Sequence, residues 1–244
     1  MIDTTNKFLL PLEDNAVLWR YMGISRFESL LTRKALFFCR ADKFNDAFEG
    51  SILKKESENL DIKPHHTRVG FEKTYKDFRR SSIISCWHIS QNESKSMWAF
   101  YSQTKGIAIR TSKERLFESL KGYNGRIWAS QVRYLDYEND TWYGKDYPKP
   151  LNFLSPLIHK RIEYQDEKEF RLIIHKEEIM KDNDYWERQS NKSGCFVEAD
   201  VIKLIDKIVL SPEIDAIGRK KVEEMADNFG LIIESSKLSN SPWF

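Results

Sequence analysis

The sequence predicts an α+β fold, a mixed and mostly antiparallel sheet with flanking helices. Three observations predict it. Short β-prone runs recur along the chain, segments with apolar residues at helical spacing lie between some of them, and the two kinds do not settle into regular βαβ alternation. 

Val17-Leu-Trp-Arg-Tyr21 reads as a strand, Gly23 breaks it, and Ser25 caps a helix with Phe27, Leu30 and Leu31 on one stripe. Leu36-Phe-Phe-Cys39 is the next strand. The stretch from Arg40 to Glu49, with Asn45-Asp46 at its centre and Gly50 beyond, reads as an irregular hydrogen-bonded loop. Residues 51–80 turn polar and charged; Pro64 breaks them, and Phe71, Tyr75 and Phe78 mark an amphipathic helix. They are expected to form a helical insertion in a single domain of residues 1–244.

Ser81 to Trp87 is a buried strand, and Glu93 to Ser102 is helical with Met97, Trp98 and Tyr101 on one stripe. Gly106 to Arg110 is a strand, Ser112 to Leu120 a helix, and Arg126 to Tyr134 a further strand. Tyr134 to Pro150 reads as a long aromatic and acidic loop, and Ser155-Pro156 opens a short helix. The run Glu163-Tyr-Gln-Asp-Glu-Lys-Glu-Phe-Arg-Leu-Ile-Ile-His175 is the next strand. Strands at Cys195 to Glu198 and Leu204 to Leu210 follow, then a helix from Ile214 to Asn228, a stop at Gly230 and a last strand from Leu231 to Glu234.

Composition narrows the function classes. A chain that is 41% hydrophobic and 13% aromatic is not a disordered one, and no apolar run reaches the length that crosses a bilayer, so no membrane partner is expected. The first residues lack a basic leader and a small-residue cleavage site, and nothing in them directs export. Cys39, Cys86 and Cys195 are odd in number and far apart, which fits a reducing cytoplasm and speaks against a structural zinc site. A net charge of +2 gives no global pull toward nucleic acid or anionic lipid. Isolated glycines supply neither a Walker loop nor a dinucleotide fingerprint.

The acidic-led strand is the strongest candidate site. In an extended strand Glu167, Glu169 and Arg171 share one face, while Phe170, Leu172 and Ile174 share the other. Carboxylates are depleted in strands, so either function or a solvated face with cross-strand ion pairs must account for them. Trp87, Trp98 and Tyr101 fit core aromatics better than a platform for a planar ligand, since helical spacing alone explains Trp98 and Tyr101. Arg20, between Trp19 and Tyr21, is either a strand residue with a surface partner or a phosphate ligand. Asn45, Asp46 and Glu49 fit an Asx turn, or oxygen ligands for a hard divalent cation.

Taken together, Phe44-Asn-Asp-Ala-Phe-Glu49 after the Leu36 strand, Ser85-Cys-Trp87 with Met97-Trp-Ala-Phe-Tyr101, and Glu167-Lys-Glu-Phe-Arg171 resemble an uncharacterised bacterial family found with abortive-infection and phage-defence genes. Ala47 stands where that family has proline, and Tyr164 where it has tryptophan. The order Arg20, then Ser85 with Trp98 and Tyr101, then Glu167-Lys-Glu169 is also similar to that of ADP-ribosyltransferases. 

That second resemblance implies an ADP-ribosyltransferase-like fold and an enzyme that transfers ADP-ribose from NAD⁺ to a macromolecule, RNA, DNA or protein. It implies no metal. Glu169 would stabilise the positive charge that develops on the ribose as the nicotinamide bond breaks. Glu167, about 6.6 Å away along the strand, would orient the acceptor or take its proton. Arg20 would pair with a cofactor phosphate, with Ser85, Trp98, Tyr101 and Arg171 completing the NAD site. The defence setting implies a toxin, with an antitoxin or chaperone as partner. Two other readings stand beside it. One is a metal-dependent nuclease built from Asp46, Glu49, Glu167 and Glu169, with Arg171 or Lys160 on a phosphate. The other is a non-catalytic sensor that binds a partner through Tyr134 to Tyr147.

Overall fold

The computed structural model describes residues 1–61, 65–102, 105–142 and 152–240. The expected break at Pro64, the later part of the loop from Tyr134 to Pro150 and the last four residues lie outside them. Among the described residues the chain begins with β1 (Ile2–Asp3), β2 (Val17–Met22), α1 (Ile24–Arg33) and β3 (Ala35–Arg40). α2 (Lys54–Asp61) and α3 (His65–Ser81) lead into β4 (Ser82–Ile89), α4 (Lys95–Tyr101), β5 (Ile107–Ser112) and α5 (Lys113–Ser119). Then come β6 (Ile127–Gln131), β7 (Arg133–Leu135), α6 (Ser155–Ile158), β8 (His159–Arg161), β9 (Glu169–His175) and α7 (Glu177–Met180). The chain closes with β10 (Gly194–Glu198), α8 (Val201–Leu204), β11 (Lys207–Leu210), α9 (Ala216–Asp227) and β12 (Ile233–Ser235).

Local chemistry sets the helix ends. Lys34 takes the left-handed conformation at φ 47° and returns its N–H to the carbonyls of Leu30 and Leu31, closing α1. The Ser112 hydroxyl accepts from the Arg115 N–H at 3.2 Å to start α5, and the Asp215 carboxylate accepts from the Gly218 N–H at 2.7 Å to start α9. At the start of β5, Gly106 lies so close to Met22 that a Cβ would stand 2.1 Å from its carbonyl oxygen. Only glycine lets the two backbones approach there.

The main sheet runs β1-β6-β9-β4-β2-β5-β11-β12, with β3 joining β4 to β10. β1 with β6 and β11 with β12 are parallel, and the other pairs of this sheet are antiparallel, so it is mixed and mostly antiparallel. β7 and β8 form a separate parallel pair. On the side away from β9, β4 meets two strands in succession. Ile83 and Ile84 face β3, while His88 and Ile89 face β2.

Alternation divides the sheet into two faces. Ile83, Trp87, Phe170, Leu172 and Ile174 pack with Phe27, Leu30 and Leu31 of α1, Leu116 of α5, Leu204 of α8 and Val222 of α9. Burying each such aliphatic or aromatic side chain contributes about 1.5–3 kcal/mol. On the other face, Ile84 and Ile173 pack with Phe78 of α3 and Leu157 of α6. Further along the same face, Trp19 and Tyr21 pack with Met97 and Trp98 of α4. Between these two apolar clusters the register places Cys86 opposite Arg171 and His88 opposite Glu169.

The acidic run departs from the expected single strand. Ile162–Glu167 is a 3-10 helix, Lys168 is left-handed at φ 41°, and extended backbone begins only at Glu169. The expected strand from Arg126 likewise divides at Val132, whose N–H donates to the Glu169 carbonyl at 2.9 Å. Among the described residues, no helix is long and apolar enough to cross a membrane.

Candidate functional site

Glu169 and Arg171 point into the protein rather than to water. Glu169 is 5% exposed and Arg171 fully buried, which overturns the solvated-face reading of this strand. All five N–H groups of Arg171 are engaged. Nε donates to Glu169 Oε2 at 2.8 Å, and Nη1 to Glu49 Oε1 at 2.6 Å and to the Leu157 carbonyl at 2.9 Å. Nη2 donates to Glu49 Oε2 at 3.2 Å and to Glu169 Oε1 at 3.0 Å. Arg171 therefore has no donor left for a cofactor phosphate, and its expected NAD-binding role is corrected to that of an internal clamp.

Lys160 of β8 reaches the same carboxylates. Its Nζ donates to Glu167 Oε2 at 2.6 Å and to Glu169 Oε1 at 2.8 Å, and stands 3.9 Å from Glu49 Oε2. Glu167 arrives from the 3-10 helix, not from the same strand face, so its distance from Glu169 is set by Lys160 and not by strand spacing. The turn that carries it is pinned by β4. His88 Nδ1 lies 2.7 Å from the Glu167 carbonyl, so that nitrogen carries the proton, and the Ile89 N–H donates to the Lys168 carbonyl at 2.9 Å.

Three carboxyls thus face two cations in a site that excludes most water. Burial raises Glu169, but the Arg171 and Lys160 charges outweigh it and hold its carboxyl well below the usual range. Glu167 lacks Arg171. Burial, reinforced by the adjacent Glu169 carboxylate, pushes it up to about 7, and its contact with Lys160 only partly opposes this. Burial lowers the Lys160 ammonium, yet Glu169, Glu49 and Glu167 leave it above its ordinary value. With one proton on Glu167 the cluster is neutral, the state low dielectric favours.

Two tyrosines meet this pair. Burial, then the Glu167 and Glu169 charges, push the Tyr101 phenol up, and the residue as a whole is 39% exposed. The Tyr134 hydroxyl accepts from the Glu169 N–H at 2.8 Å. Beside Tyr134 and Glu169 opens a cleft of about 420 Å³, which Gln131, Ile162, Gln165 and Lys168 also line and which Tyr101 and Glu167 do not.

The remaining expected site residues lie elsewhere. Arg20 fills the fork between β2 and β3, donating to Ser85 Oγ at 2.8 Å and to the Phe37 carbonyl at 2.9 Å, with its guanidinium 5.5 Å from the Trp87 ring. Burial pulls it down to about 10. Ser85 is fully buried and pairs with Leu172, so it and Trp87 face away from Glu169. Arg20 and Ser85 are corrected to a bolt between strands. Trp98 is 4% exposed, its Nε1 donates to Glu93 at 2.9 Å, and its ring meets Tyr21 edge-on at 4.9 Å. It is a core residue with no face open to nicotinamide. Of the expected cofactor ligands, Arg171 binds Glu169 and Tyr101 feels the charges of Glu167 and Glu169, whereas Arg20, Ser85 and Trp98 stand apart from the pair.

Comparison with family models, with curated proteins and with solved structures finds no match to this chain. Glu49 and Lys160 are the members of the cluster that sequence reasoning placed outside the leading site. Glu49 had a signal, since a carboxylate closes the Asn45-Asp46 loop three residues from Asp46. Lys160 had only its neighbour Arg161, which pairs with Asp46 at 2.9 Å.

Proposed function

We propose that this chain is an enzyme whose chemistry runs on the Glu167–Glu169 pair, and that it cleaves the nicotinamide bond of NAD⁺ and transfers ADP-ribose to a macromolecule. The observation that carries this reading is the unequal company of the two carboxyls: one ammonium holds both, but Arg171 binds Glu169 and not Glu167, which holds Glu169 well below the usual range and leaves Glu167 pushed up to about 7. Breaking an N-glycosidic bond calls for this combination, a carboxylate near a developing oxocarbenium ion and a second carboxyl that exchanges the acceptor's proton. Tyr101, whose phenol feels the Glu167 and Glu169 charges and which is partly exposed, would relay that proton outward. The Gln131 and Gln165 side chains suit a carboxamide, and Lys168 suits a phosphate in place of Arg20.

The nuclease reading is less well supported. Glu49, Glu167 and Glu169 are already paired with Lys160 and Arg171, so a divalent cation would have to displace buried positive charge. Among the described residues, no cluster of three or more His, Cys, Asp or Glu has metal-binding geometry. A role as an anti-phage toxin remains part of the proposal and rests on the resemblance of the three motifs. Incubating cell extract with the protein and labelled NAD⁺ tests the reading. Label should appear on a macromolecule with and without chelator and be lost with Glu167→Gln; activity abolished by chelator would turn the account to the nuclease.

A further inference from the structure

Lys160 contacts both carboxyls at once, and its surroundings hold it there. It lies on the short strand β8, whose partner β7 carries Tyr134, and its side chain is 8% exposed. Its ammonium stands 4.5 Å from the centre of the Tyr164 ring, which covers it from the 3-10 helix. Two of its three N–H groups are spent on Glu167 and Glu169. Among the described residues no other cation reaches both carboxyls: Arg171 pairs with Glu49 and Glu169 but not with Glu167.

We propose that Lys160 is a positioning residue of this site, whose bridging ammonium holds the Glu167 and Glu169 carboxyls together and lets the three-carboxyl cluster stay neutral with a single proton. This rests on the proposed function only for its purpose; the arrangement itself is independent of any substrate.

The charges that face Glu167 come from several elements. Lys160 approaches from β8, Glu169 from the start of β9 and Tyr101 from α4. Behind them stand Glu49 and Arg171, paired with each other, and the Cys86 thiol, which burial keeps protonated. His88 faces the Glu167 backbone, and burial keeps its ring neutral near pH 7. Lys160 is therefore the only positive charge in direct contact with the Glu167 carboxyl among the described residues. Removing it leaves three carboxyls against one guanidinium, and the cluster then has to hold a second proton to remain neutral.

The test is a carboxyl ¹³C titration by NMR on protein labelled at glutamate, for the unmodified chain, Lys160→Met and Lys160→Arg. Lys160→Met should raise the Glu167 midpoint by at least about one pH unit, a tenfold gain in proton affinity, and Lys160→Arg should restore most of the difference. An unchanged midpoint in folded Lys160→Met would overturn the proposal. Should that variant not fold, the ¹⁵N resonance of the Lys160 ammonium in the unmodified protein decides. It should shift with pH at the same midpoint as Glu167, and an ammonium that ignores that step would overturn the bridge. Neither readout uses NAD⁺, so a protein that shows the bridge but releases no nicotinamide would sink the functional reading alone.

Discussion

Glu49 and Arg171 lie 122 residues apart in the chain and meet inside the protein through hydrogen bonds of 2.6 and 3.2 Å. The loop that follows β3 is thereby tied to the strand that carries the candidate site. Glu49 and Arg171 are both essentially inaccessible to water, so removing Glu49 leaves the Arg171 guanidinium with Glu169 as its one carboxylate partner, and removing Arg171 leaves Glu49 with Lys160 at 3.9 Å.

Glu49→Ala should accordingly destabilise the protein by about 3–5 kcal/mol, and Arg171→Lys should recover little, since an ammonium cannot supply five donors in a fork. Urea unfolding monitored by tryptophan fluorescence measures both. A Glu49→Ala protein as stable as the parent would show that the clamp does not operate.

Arg20 and Ser85 make the opposite prediction for activity. They lie across the sheet from Glu169, so Arg20→Met and Ser85→Ala should lower stability by about 1–3 kcal/mol while leaving the KM for NAD⁺ within about twofold. A KM raised tenfold or more in folded Arg20→Met would restore Arg20 to the cofactor site.

Stability should depend on pH through the same carboxyl pair. Glu167 holds its proton more tightly folded than unfolded, so its contribution is full below its unfolded value of 4.5 and is lost as pH rises toward 7. Glu169 has the opposite sign: its contribution is present above 4.5 and is lost as pH falls below it. The pair therefore favours the folded state most near pH 4.5 to 5, and Glu167→Gln should flatten the decline between pH 5 and 7. Unfolding curves across pH 4 to 8 would contradict this if both proteins kept the same slope.

In the proposed reaction Tyr101 would be the outer end of the proton relay. Tyr101→Phe removes the hydroxyl without the ring, and turnover should fall by about 10- to 100-fold with little change in stability. Equal turnover would assign Tyr101 to packing.

Much of the sheet could be read from the chain because its longer strands are apolar, β-prone runs. Val17–Met22, Ala35–Arg40 and Ile107–Ser112 all fall on β-prone runs bounded by turn residues. β1 and β8 escaped notice because two or three residues carry no period, and β8 holds Lys160. The pairing of Glu167 with Glu169 was anticipated for a reason that failed. An extended strand would have aligned them, whereas a left-handed Lys168, uncommon for a side chain with a Cβ, reverses the chain between them. The buried charges were misjudged from local sequence since neutralisation came from Glu49 and Lys160, partners that only the tertiary fold brings near.

The most direct measurement is nicotinamide release from NAD⁺ by the purified protein, compared with Glu167→Gln and Glu169→Gln. Release by the unmodified protein, reduced at least about 100-fold in each variant while both stay folded, is the predicted result. Release that survives both substitutions, or none from the folded unmodified protein, would contradict an account in which these two carboxyls cleave the nicotinamide bond.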